Sequence, residues 1–163
     1  MNFRIHEQNP ADAVEAAFFR IQREQMADVP ILNPALSVAA VDFQRWQGHW
    51  LGIVVTPWCM SMLLVPGSSE QWVSTGENQR RFVRFPAGDF AFLGSEEAEL
   101  GEYQSCPLFS PMGKFSTQSD ATMTARASMI ALLTSAKQTH EPAKDKKGAD
   151  EPSLSRRRFL ALR

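Results

Sequence analysis

The chain is poor in the residues that metal and redox chemistry needs. It has two cysteines, three histidines and one tyrosine in 163 residues. Cys59 and Cys106 form no C-x-x-C pair and have no histidine nearby in sequence. That spacing excludes a zinc ribbon or a rubredoxin-like iron site, and the ordinary expectation is two small buried hydrophobes. His6, His49 and His140 fall before the first predicted helix, in a predicted turn and in a polar linker, none at metal-ligand spacing. No metal or other cofactor is expected. G-x-S-x-G, P-loop and G-x-G-x-x-G motifs are missing, so the chain does not read as an enzyme. The exception to weigh is a thiol nucleophile built from Cys106 and a distant histidine. No apolar run reaches the ~18 residues of a membrane span. The N-terminal MNFRIHEQNPADAVEAAFF lacks the apolar stretch of a secretory leader. A cytoplasmic protein, not a membrane protein, is expected.

The net charge of -1 hides an asymmetry. Residues 137–163 hold eight of the 17 Lys+Arg and four of the 18 Asp+Glu. The body is therefore acidic, which argues against a nucleic-acid partner. The end is basic and suits an acidic partner or a return onto the body.

The length suits one domain, expected over residues 1–136. NPADAVEAAFFRIQREQMADVP predicts a helix, with Asn9 as cap, Pro10 in the first turn and Asp12 at the positive dipole end. Val14, Ala17, Phe18 and Ile21 recur at helical spacing and give one apolar face. WLGIVVT and WCMSMLLVP are apolar on both faces and read as central strands, joined at Thr56-Pro57. RRFVRFP and DFAFLG read as a hairpin through Pro86-Ala87-Gly88. VDFQRW and EYQSCPLF complete about six strands. Glu96, Glu97 and Glu99 are expected in a solvated loop after Gly94. A second helix is expected near 117–135, with Thr117 and Asp120 as a capping box and Met123, Ala127, Ile130 and Leu133 as its apolar face. The fold expected is α+β: an antiparallel sheet of about six strands packed with the two helices, followed by a disordered C-terminal tail. KQTHEPAKDKKGADEPS is too polar to offset the entropy of ordering it, so 137–163 reads as a flexible basic tail.

Three stretches carry a family resemblance. They are NPALSVAAVDFQRWQGHWLG (33–52), TPWCMSMLLVPG (56–67) and YQSCPLFSPM (103–112). With Thr56-Pro57-Trp58, Pro66-Gly67, and Cys106 through Ser110-Pro111-Met112, they resemble the HybE-type [NiFe]-hydrogenase assembly chaperones over roughly residues 10–135. The tail extends the likeness loosely through Arg156, Arg157, Phe159 and Leu160. Pro107 stands where relatives often have serine, and Cys59 is not a family fixture. The resemblance implies a cytoplasmic chaperone that holds a hydrogenase subunit precursor until maturation is complete. The small subunit with its twin-arginine leader is the favoured client, with the large subunit as the second and other maturation factors as further partners. Twin-arginine export quality control would be the setting.

A client-binding surface would use Trp58, Phe109, Pro111 and Met112, because aromatic anchors and adaptable methionine suit an incompletely folded partner. Residues 110–113 lie outside regular structure, so their side chains are expected at the surface. Met60 and Met62 fit either that surface or a core strand. Trp46 and Trp50 either pack against a helix or mark a contact surface. The end LSRRRFLALR has the residue order of a twin-arginine signal, but no apolar region follows it. Three readings stay open: an inert basic end, a contact with client or membrane through Arg156–Arg158 and Phe159, or a mimic of the client's leader. A different class of function also stays open, a small-molecule-binding domain with a Trp/Met-rich pocket.

Overall fold

The computed structural model describes residues 3–134. Its elements are α1 (Ala11–Gln25), β1 (Ala39–Trp46), β2 (His49–Val55), β3 (Met60–Val65), β4 (Arg80–Phe85), β5 (Gly88–Glu97), β6 (Gly101–Phe109) and α2 (Gln118–Leu132). The strands form one antiparallel sheet in the order β1-β2-β3-β6-β5-β4. This is the expected α+β architecture. Residues 137–163, including Arg156, Arg157 and Phe159, lie outside the described residues.

Every residue of β2 and β3 is buried, as their apolar runs require of strands covered on both faces. Leu51, Ile53, Met60, Met62 and Leu64 point into one core, where Ala121, Ala125, Met129 and Leu132 of α2 pack. Trp50, Val54, Leu63 and Val65 point into the other, against Val14, Ala17 and Phe18 of α1. Met60 and Met62 are thus core residues. Trp50 and Trp46 pack on opposite faces; Trp46 stacks on Phe85 with ring centroids 4.6 Å apart.

A bulge in β1 decides what fills the α1 side. Val41 pairs with Ile53 and Gln44 with Leu51, so Asp42 and Phe43 together oppose Gly52. Asp42 adopts a φ of 54°, a left-handed conformation that aspartate tolerates better than most residues. The extra residue breaks the alternation. Val41 faces the α2 core and Phe43 the α1 core. Phe43 then lies directly over Gly52, where a β-carbon would collide with its ring.

The helices start as expected, with adjustments. Asn9 caps α1 from one residue further out: its Oδ1 accepts the Ala11 N–H (2.9 Å), and Pro10 takes the N-cap position. Thr117 Oγ1 accepts the Asp120 N–H (3.0 Å). Of the apolar face expected of α2, Leu133 packs against the core and the other three residues are turned outward. Met123 and Ile130 are 62% and 67% exposed and Ala127 is exposed, while Ala121, Ala125 and Ser128 face the sheet with Met129 and Leu132. The sheet already presents Met, Leu and Phe side chains there, so small helix residues permit closer approach than a second layer of large ones.

The acidic cluster is not a solvated loop. Glu96 and Glu97 end β5, and the Arg20 guanidinium of α1 bonds Glu99 through Nε (2.8 Å) and Nη2 (2.9 Å) and Glu97 through Nη2 (2.6 Å). Those bonds raise the Arg20 pKa, and Arg20 holds the Glu99 carboxyl below its ordinary value.

His49 is the first residue of β2, buried, rather than part of the turn, which is confined to Gln47 and Gly48 at positive φ. Its Nδ1 accepts the Gly67 N–H (3.0 Å), and its Nε2 is buried without a hydrogen-bond partner. Burial lowers its pKa; the Gln71 backbone opposes this, and the charges of Arg45 and Arg81 reinforce it. A folded-state pKa below the ordinary 6.5 means that the unfolded chain binds the proton more readily. The stability contributed is present above about pH 6.5 and is lost as pH falls below it toward the folded-state value. Urea denaturation at about pH 7.5 and 5.5 should show a lower midpoint at the acid value, and His49→Gln should shrink that difference.

Candidate functional site

The three stretches that carry the family resemblance meet at one end of the sheet, where β2 turns into β3. Thr56 closes that turn with a single buried hydroxyl. Its Oγ1 accepts the N–H groups of Trp58 (3.2 Å) and Cys59 (2.9 Å) and donates to the Cys59 carbonyl (3.0 Å). The Thr56 N–H also donates to the Cys59 carbonyl (2.9 Å). Pro57 offers no N–H, so none is left unmatched at its buried position.

Asn33 joins this turn to the segment after β6. Its N–H donates to the Pro57 carbonyl (2.9 Å). Its Nδ2 donates to the carbonyls of Met112 (2.9 Å) and Phe115 (2.8 Å), and its Oδ1 accepts the Ala35 N–H (2.9 Å). The amide side chain therefore uses both donors on the segment after β6 and its acceptor on its own turn, while the Asn33 backbone holds the β2–β3 turn. Next to it the Gln118 amide and the Ser37 backbone bond each other reciprocally (2.9 and 3.1 Å).

This arrangement sorts the expected site residues. Phe109 and Met112 are core, not surface: both are buried in the α2-side cluster, with Phe109 edge-on to Phe115 at 5.4 Å. Met112 lies outside regular structure, but bonding its carbonyl to Asn33 turns its side chain inward. Trp58 is half-buried, packed against the α1-side core, and Pro111 is exposed. Ile31, 56% exposed, and Lys114, whose Nζ lies 5.0 Å from the Phe109 ring centroid, belong to the same end of the fold. Sequence reasoning passed over Asn33 and Ile31. The Asn33-Pro34 dipeptide, a turn signal between two elements, was the available clue.

Burial raises the Cys59 thiol pKa, only partly offset by Ser61 and Thr56, so Cys59 is not a poised thiolate. Cys106 is buried in β6. His6 Nε2 contacts the Leu100 carbonyl (2.8 Å), and His49 is held by Gly67. Among the described residues no three His, Cys, Asp or Glu side chains are grouped to hold a metal ion. No helix among them is long and apolar enough to cross a membrane.

At this end of the fold Ile31 and Pro111 are exposed, Trp58 is half-buried and the Lys114 ammonium lies over the Phe109 ring. Comparison with known proteins places the chain in a family. Residues 9–162 match the family described as [NiFe]-hydrogenase assembly, chaperone, HybE. The hydrogenase expression/formation protein HupJ of Bradyrhizobium diazoefficiens is 38% identical over 149 residues, covering 91% of this chain and 85% of that protein. The protein named "Probable rubredoxin HupJ" of Rhodobacter capsulatus is 38% identical over 131 residues, covering 78% of this chain but 47% of that protein, so the chain spans about half of its length. The solution structure of HybE from Escherichia coli matches with a TM-score of 0.67 at 27% identity, covering 81% of this chain and 82% of that one. The chain belongs to the HybE family of [NiFe]-hydrogenase assembly chaperones.

The sorting of core from surface is directly measurable. Met112→Ala should cost about 3 kcal/mol of stability, as other buried methionines do. Ile31→Glu should stay within about 0.5 kcal/mol, as exposed positions do. Urea denaturation of the two variants against the parent chain checks both.

Proposed function

We propose that this chain holds a [NiFe]-hydrogenase subunit precursor in the cytoplasm until maturation is complete. The small subunit with its twin-arginine leader is the preferred client and the large subunit the second. The observation that carries this reading is that Ile31 and Pro111 are exposed and Trp58 is half-buried on segments that Asn33 bonds together at one end of the fold. Phe109 supports that surface from beneath rather than contacting the client.

Arg156, Arg157 and Phe159 have a part in the proposal as a leader mimic. A basic-apolar end of the same chemistry as a leader competes for the same surface. The test uses purified chain and small-subunit precursor, with and without the leader, in a titration. Trp58→Ala and Ile31→Glu should each weaken capture of the precursor by about tenfold, a central aromatic anchor being a frequent hot spot. A chain cut after Ser135 should bind the leader more tightly. Equal binding of leader-bearing and leaderless subunit would remove the leader from the proposal. No binding of either hydrogenase subunit would remove the chaperone role assigned to this surface.

A further inference from the structure

The sheet has a second accessible feature, far from the Asn33 end in strand order. Among the described residues strand β4 is an edge, paired with β5 alone. Phe85 pairs with Gly88 across a two-residue connection, which makes them a hydrogen-bonded pair. Antiparallel pairs alternate between bonded and non-bonded. Val83 and Arg81 therefore bond β5, and the N–H and C=O groups of Arg84, Phe82 and Arg80 point outward. None of these outward groups makes a backbone bond to another segment among the described residues.

The side chains repeat this division. Val83 and Phe85 enter the α2-side core, and Arg81 reaches Gln104 (Nε to Oε1, 3.1 Å). Arg80, Phe82 and Arg84 occupy the other face, where Phe82 is 70% exposed opposite Ala91. The Arg84–Asp89 pair (3.0 Å) is an exposed cross-strand contact, with 83% of the arginine side chain accessible, and such pairs exchange at little cost. The exposed phenylalanine stands between Arg80 and Arg84, charged residues of the kind that keep like edges apart while leaving an acidic strand free to approach.

We infer that β4 accepts an extended, acidic segment of a partner protein as a seventh strand, with the pattern acidic-x-apolar-x-acidic set against Arg84, Phe82 and Arg80. Main-chain bonds to the outward groups supply the pairing, and alternate side chains supply the choice. Charge selects the occupant. A second copy paired antiparallel about Phe82 would set Arg80 against Arg84 twice, and like charges directly opposite are unfavourable. A twin-arginine leader, or this chain's own Arg156–Arg158 end, meets the same repulsion. Strand addition is thus a contact separate from leader binding. That the segment belongs to a hydrogenase subunit rests on the chaperone reading above; the chemistry of the edge does not.

The full chain is titrated with a fluorescein-labelled peptide of core Glu-Thr-Val-Thr-Glu and with its Lys-Thr-Val-Thr-Lys counterpart, read by anisotropy and by amide exchange. The acidic peptide should bind and slow exchange at Arg80, Phe82 and Arg84, and the basic one should not. Phe82→Pro removes an outward N–H and the exposed ring without touching a bond to β5, and should weaken binding by about tenfold or more. The double variant Arg80→Glu, Arg84→Glu should reverse the preference. Equal binding of the two peptides, or acidic-peptide binding that leaves those three amides exchanging as in the free chain, overturns the inference. Neither result bears on precursor capture at Trp58, so the two readings fail separately.

Discussion

The central strands are apolar on both faces, and the described residues supply two helices to cover them. A sheet of six strands is roughly 24 Å wide, while a packed helix covers a band of about 10 Å. Non-helical chain must cover much of each side. On the α1 side the segment before the helix acts as a strap: the Trp50 indole N–H donates to the His6 carbonyl (2.7 Å), and the Arg4 guanidinium bonds the carbonyls of Ala98 and Glu99 (3.0 and 2.8 Å). On the α2 side the segment between β3 and β4 crosses β6, tied down by Glu102 and Gln104. The bulge that sends Phe43 over Gly52 answers the same demand, since it moves a large ring to the face that α1 alone leaves thin.

Two devices hold the covering segments, and they differ electrically. Glu102 is fully buried and is met by neutral donors: Ser74 Oγ at 2.7 Å, the Thr75 N–H at 3.1 Å and the Trp72 indole at 3.4 Å. Gln104 beside it donates to the Val73 carbonyl (2.7 Å) and Thr75 Oγ1 (3.0 Å). These bonds make a crossing loop part of the core, because a buried polar group is costly once its partners leave. Arg20 with Glu97 and Glu99 lies nearer solvent. Its bidentate geometry orients α1 over the sheet more than it stabilises the fold.

Much of this was legible in the amino-acid order. The six strands announced themselves because β2 and β3 are continuous apolar runs, and Thr56-Pro57, Gln47-Gly48 and Pro86-Ala87 mark the turns. Both helices were legible from caps and composition. The buried face of α2 was not, because alanines and methionines occur on two sides of it and the deciding factor is how full the sheet beneath already is. The pairing of Glu97 and Glu99 with Arg20 and the burial of His49 were hidden for a similar reason: each depends on a partner distant in sequence. At the candidate site, Trp58 and Pro111 were visible as unusual residues in a turn and a loop. Phe109 and Met112 were visible too, but assigned to the wrong side of the surface. Asn33 shows why. Its side-chain bonds reach residues 79 and 82 positions away, and no local pattern encodes that separation.

That residue bears on the proposed capture of a client. Its side chain holds the 112–115 segment through both donors while its backbone N–H holds the Pro57 carbonyl, so this end of the fold is fixed from within. Under the proposed function, the conformational adjustment, and the entropy lost with it, would fall on the incoming chain. Binding would then favour a segment that is still loose. A segment that gains an ordered place within its own protein would depart with no moving part in the acceptor. The clock for release would run in the guest.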